Sequence, residues 1–174
     1  MTSNKIIAGA VFVLSIVLSV GFFVFNDFFA GSRSLGLIGI FIINFVSHAS
    51  FFVSGPAFLT VVAGGNLYPP ILVALVSSFG ATLGETISFA FGASGRHLAN
   101  HKLKNKKWFY ILSIYFKKHG DIILFVFALV PNPLFDAVGL VAGIFGYNFF
   151  KYFLLVLAGR FIRYFLLASF GATL

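Results

Sequence analysis

Cysteine is absent from the 174 residues, and acidic side chains number only four. The first absence removes disulfides, thiolate metal sites and cysteine nucleophiles, and leaves the redox compartment open. With five prolines and no glycine period, collagen-like and low-complexity chains are excluded as well. Charged residues make up 9% of the chain, where a water-soluble domain carries roughly 25%. What takes their place is apolar: 60% of residues are hydrophobic, 19% are aromatic, and the mean hydropathy is +1.04. Such a composition has too little polar surface for a soluble protein and fits an all-α integral membrane protein.

The formal net charge of +8 comes from twelve basic residues that are unevenly placed. Seven of them, Arg96, Lys102, Lys104, Lys106, Lys107, Lys117 and Lys118, fall in one stretch without an acidic residue. By the positive-inside bias this stretch is a cytoplasmic loop that contacts anionic lipid headgroups. No aromatic-interleaved basic module accompanies it, so nucleic acid is not an expected partner. His97 and His101 are four apart, but no carboxylate or third ligand stands nearby in the sequence, and no metal or cofactor is expected.

Residues 6–25 form an uncharged run of 20, long enough for a first transmembrane helix, with an outer loop up to residue 34. A membrane domain follows over 35–174. Its first part, 35–67, is broken at Ser54-Gly55-Pro56, leaving arms too short to cross a core of about 30 Å, which predicts a re-entrant hairpin. Residues 68–93 make a full crossing and 94–120 a basic loop with an interfacial helix. A second hairpin over 121–146 is broken at Pro131-Asn132-Pro133, and 147–172 is the last crossing. Lys5, the seven loop cations and Lys151 then lie inside and only Arg33 outside, which places the N-terminus in the cytoplasm and the C-terminus outside.

The two halves resemble each other. Aligning residues 68–93 with 147–172 gives six identities in 26 positions, among them Tyr68 with Tyr147, Gly80 with Gly159 and Gly92 with Gly171. Since one half starts outside and the other inside, the repeat would be inverted, with opposed hairpins.

Four charges stand where charge is costly. Arg160 and Arg163 lie deep in the last crossing and share a helix face, at about 2.5 to 3.5 kcal/mol each on insertion scales. Glu85 lies at similar depth in the preceding crossing, beside Thr82 and Ser78, and Asp136 follows the second hairpin break. They are expected to form two ion pairs, which either lock helices or serve a substrate and protons. Gly80, Gly84 and Gly159 are expected helix-packing positions, Gly84 within the small-residue stripe of Ser77, Ala81 and Ser88. Backbone amides at the breaks around Pro56 and at Pro131, Asn132 and Pro133, together with the two guanidinium groups, would suit an anion.

The segments GATLGETISFAFGASGR, ALVPNPLFDAVGLVAGI and LAGRFIRYFLLASFG resemble the DedA superfamily, also called VTT-domain or SNARE-associated Golgi proteins. The nearest likeness is to its YqaA-like branch, through Pro133 to Asp136, Ala142-Gly143, and Arg160 to Tyr164. The resemblance implies two opposed re-entrant hairpins and lipid translocation, including proton-linked flipping of polyprenyl phosphates and scrambling. A better-studied branch has an arginine on each side of its hairpin proline; here these positions are Ala128 and Leu134, so Arg160 and Arg163 would supply the charge. The expected protein is a non-enzymatic plasma-membrane flippase or scramblase. Its alternative is a structural or assembly protein, or a proton-responsive scaffold. An intramembrane enzyme is not expected, because no Asp pair or His-Glu metal motif occurs on the spanning helices.

Overall fold

A computed structural model describes residues 36–49, 55–103, 106–130 and 135–174. Six α-helices occupy nearly all of them: α1 (Gly36–Ala49), α2 (Gly55–Leu67), α3 (Pro70–Leu103), α4 (Lys107–Leu129), α5 (Phe135–Ile144) and α6 (Phe149–Gly171). The expected first crossing, 6–25, lies outside the described residues, as do residues 50–54 and 131–134 at the hairpin breaks.

Local sequence sets the boundaries. Pro69 disfavours helix at Tyr68, and Pro70 opens α3 where its missing N–H costs nothing. Asn148 caps α6, its side chain accepting from the Lys151 amide at 3.1 Å. Between α5 and α6 the chain reverses through Gly146 at φ +67°, a conformation that glycine adopts without strain.

Among the described residues two helices are long and apolar enough to cross a membrane, Pro70–Arg96 within α3 and Phe149–Gly171. The helix of α3 continues past residue 93 to Leu103, so the start of the expected basic loop is helical. Backbone hydrogen bonding extends a helix beyond its apolar run, which a count of apolar residues does not register. In the same way α4 joins the expected interfacial helix to the first arm of the second hairpin, with a break at His119 (φ −126°, ψ 16°). By contrast α1 and α2, with 14 and 13 residues, extend only about 20 Å.

The packing is interlocked. Helix α1 lies along α3, while α2 lies against α6. Likewise α4 lies along α6, while α5 lies against α3. Glycines make each approach possible. A Cβ built on Gly80 would come within 2.7 Å of the Phe41 carbonyl oxygen, and one on Gly159 within 2.9 Å of that of Phe125. Gly92 meets the Leu140 carbonyl and Gly143 that of Phe89; Gly171 meets the Val62 carbonyl and Gly65 that of Ala168. Tyr68 lies over Gly36 and Tyr147 over Gly120, each 2.9 Å from an added Cβ. These contacts correspond pairwise when α3 is matched to α6, α1 to α4 and α2 to α5.

Two apolar clusters result. One gathers Phe89, Phe116, Leu124, Ala142 and Tyr152, and the other Ile40, Val61, Val73, Tyr164 and Ala168. Along both long helices the polar centre falls between them: Glu85 between Ala81 and Phe89, Arg160 between Val156 and Tyr164.

Candidate functional site

The polarity of the fold is reversed relative to a water-soluble protein. Glu85, Thr82, Ser77 and Asn44 have no accessible surface, and Arg160 has 2%, whereas Phe150, Phe91 and Leu59 expose 75%, 68% and 67%. Buried charge with exposed aromatic side chains is the arrangement suited to a hydrocarbon surrounding.

At the crossing of the long helices, Arg160 Nη2 donates to Glu85 Oε2. Burial of an unpaired guanidinium or carboxylate is prohibitive, so each group requires the other. The helix α5 closes over this pair with Gly139, where an added Cβ would meet Tyr152 Oη at 2.8 Å and Glu85 Oε1 at 3.0 Å. Tyr152 is in turn stacked on Phe89, with ring centroids 4.6 Å apart.

One turn along α6, Arg163 is directed elsewhere. Its guanidinium lies over the Phe58 ring of α2, 4.2 Å from the centroid, a cation–π contact. Phe58 also meets the Tyr164 ring edge-on at 6.4 Å. The Tyr164 hydroxyl is 3.2 Å from His48 Nε2 in α1, and His48 Nδ1 is 2.9 Å from the Asn44 carbonyl oxygen. A carbonyl only accepts, so Nδ1 carries the proton; in the neutral ring Nε2 then accepts from Tyr164. The Asn44 amide donates to the Ile40 carbonyl at 2.8 Å and to Thr60 Oγ1 at 3.3 Å. Three hydroxyls of α3 on this buried side, Ser77 Oγ, Thr82 Oγ1 and Ser88 Oγ, have no hydrogen-bond partner among the described residues.

Of the residues singled out from the sequence, Glu85 and Arg160 thus come together in one buried pair, and Arg163 is buried one turn away against Phe58. Asp136 lies in the first turn of α5 and Pro56 in that of α2, both with side chains outside the described residues, as are Pro131, Asn132 and Pro133 altogether. Of the two expected ion pairs, Glu85 with Arg160 is formed, and Arg163 lies over the Phe58 ring; a pair involving Asp136 falls outside the described side chains. Gly80, Gly84 and Gly159 lie at helix contacts, Gly84 against the Phe45 carbonyl. The side chains of His97 and His101 are outside the described residues.

His48, Asn44, Phe58 and the Tyr164 hydroxyl were not foreseen. A signal existed: Asn44 and His48 are four apart in an otherwise apolar run, hence on one helix face. The sequence also contains a Gly-x-Ser-Gly quartet at 92–95, a setting known for serine nucleophiles. Ser94 is exposed and bonds the Ala90 carbonyl of its own helix at 2.9 Å, and Gly92 is accounted for by the approach of α5.

Comparison with known proteins agrees with this architecture. The VTT domain profile matches residues 55–173, from the start of α2 to the end of α6. The chain belongs to the VTT-domain family. One curated VTT relative is the vacuole membrane protein KMS1 of Arabidopsis thaliana, 30% identical over 95 residues. The aligned part is 53% of this chain and 22% of that protein, so the chain spans about a fifth of that relative's length. No solved structure matches. Family and apolar helices together make this VTT protein a membrane protein.

Proposed function

We propose that this VTT protein moves an anionic lipid headgroup, a polyprenyl phosphate or a phospholipid, between membrane leaflets. The observation that carries the reading is the Glu85–Arg160 pair, buried at the crossing of the two long helices. Close helix packing needs the glycines; it does not need a carboxylate and a guanidinium at its centre. In this reading α1–α2 and the second arm of α4 with α5 are re-entrant hairpins, opposed in an inverted repeat. The pairwise correspondence of the glycine contacts supports that reading. The N-terminus is cytoplasmic and the C-terminus outside, in a multi-pass plasma-membrane protein.

Arg160 and Arg163 hold the phosphate in turn. Glu85, with Asp136, compensates them when the site is empty and takes up protons on exchange. The hydroxyls of Ser77, Thr82 and Ser88 offer further donors along the same helix. Keeping the phosphate among these groups while its tail stays in lipid avoids the desolvation of a naked charge. Dithionite quenching of labelled lipid in proteoliposomes measures the movement. Arg163→Ala and Glu85→Gln should each slow it, and wild-type rates in both would refute the mechanism.

A second reading, a helix lock without transport, rests on the same ion pair, which bridges α3 and α6. It predicts that exchanging the charges, Glu85→Arg with Arg160→Glu, restores stability and all function. A phosphate site would regain stability at most.

A further inference from the structure

The first segment of α4, from Lys107 to the break at His119, is buried on one side and exposed on the rest. Phe109 and Phe116 are buried, 5.2 Å and 5.8 Å from the Phe145 ring, with Phe116 also edge-on to Tyr147 at 5.9 Å. Ile111, Leu112 and Tyr115 form an exposed apolar strip at helical spacing. Lys106 with Lys117, and Lys107 with Lys118, are each eleven residues apart, three turns, so each pair shares a face, and all four are exposed. No acidic residue occurs between Arg96 and Lys118.

The protein side of this segment grips one place in particular, the joint between α5 and α6. Phe145 and Tyr147 belong to that joint, and Gly146 lies directly beneath the Arg96 guanidinium. Just beyond the break, Tyr147 lies over Gly120 and donates to Asp121 Oδ1, while Lys151 Nζ bonds Asp121 Oδ2 at 2.9 Å.

We infer that residues 106–118 form a docking surface for anionic lipid headgroups, and that the docked helix secures the α5–α6 joint. Exposed apolar residues with lysines at both ends of the segment and no acidic side chain among them fit a bilayer surface of negative charge, each lysine contributing attraction that salt screens. A protein partner would leave the apolar strip and the cations to be matched separately. A bilayer matches both at once, acyl chains below and headgroups above. This surface is separate from the buried centre, and its test does not depend on transport.

Trp108, the single tryptophan, stands in the first turn of this segment and reports on its surroundings. The full chain is reconstituted in phosphatidylcholine vesicles containing phosphatidylglycerol, with bromine on one lipid or the other at equal mole fraction. Brominated phosphatidylglycerol should quench Trp108 at least about twice as strongly as brominated phosphatidylcholine, and the ratio should fall with salt. Replacing Lys106, Lys107, Lys117 and Lys118 together by Gln should bring the ratio to one, and replacing them by Arg should preserve it. Amide exchange at residues 145–151 should slow on adding phosphatidylglycerol to the wild type and not to the Gln variant. Equal quenching in the wild type, or an undiminished ratio in the Gln variant, would overturn the docking surface. Preference for the anionic lipid without slower exchange would overturn its hold on the joint.

Discussion

The first three helices and the last three are built on the same contacts but carry different chemistry. Matching Gly80 to Gly159 sets Arg160 opposite Ala81, Arg163 opposite Gly84 and Glu85 opposite Tyr164. Matching Gly36 to Gly120 sets Asp121 opposite Leu37. The glycine approaches occur in both halves, and the charges occur once. Each half is thus a control for the other: where Ala81 and Gly84 suffice, the scaffold has no need of a guanidinium. The single-copy residues are the ones on which the proposed transport rests.

The sharpest way to break this comparison is to remove one charge of the buried pair. Arg160→Ala strands a carboxylate, and should lower stability by about 3 to 5 kcal/mol in detergent unfolding, whereas Arg160→Ala with Glu85→Ala should recover most of it. Failure of the double variant to recover would mean that the scaffold itself depends on charge. Next come the paired glycines. Gly92→Ala and Gly171→Ala both force a methyl group onto a helix carbonyl, and each should cost about 1 to 3 kcal/mol. Clearly unequal losses would undo the equivalence of α2 and α5. Tyr164→Phe removes the donor facing His48 Nε2 and should cost about 1 to 3 kcal/mol, the usual range for a buried polar atom left without its hydrogen bond.

The smallest effect concerns the exposed clasp of Tyr147, Lys151 and Asp121. The Tyr147 hydroxyl, then Lys151, holds the Asp121 carboxyl below its ordinary range, while burial together with that hydrogen bond raises Tyr147. A depressed carboxyl contributes stability above its unfolded pKa and loses it only as pH falls through the lower folded value. The clasp should accordingly hold unchanged from neutral pH to the usual carboxylate range near 3.9 and open below it. Asp121→Asn should shift the melting temperature only slightly at neutral pH and abolish that acid-side dependence.

Much of this was legible in the residues. Glu85, Arg160 and Arg163 announced themselves because charge in an apolar run is costly wherever it sits. Gly80 and Gly84 announced a close neighbour. Which neighbour was not legible: helix periodicity fixes a face and says nothing of the element that covers it. For that reason the pairing of Glu85 with Arg160 needed the fold, and the seat of Arg163 on Phe58 was invisible. The bond between His48 and Tyr164 joins residues 116 apart in the chain, so neither local pattern contains it. The extension of α3 to Leu103 escaped because an apolar count measures the membrane rather than the helix.

The interlocking of the short helices with the long ones has a consequence for biosynthesis. As the chain leaves the ribosome, α2 is made early, yet the surface that receives Gly65 is Ala168 of α6, which emerges after every other described helix. Helix α1 has its seat as soon as α3 is inserted, but α2 must wait. During that interval a 13-residue helix, too short to cross, is held only by its neighbours α1 and α3. Insertion of α6 is then the step that completes both halves at once, and a chain stalled before it would present α2 to the quality-control machinery of the membrane.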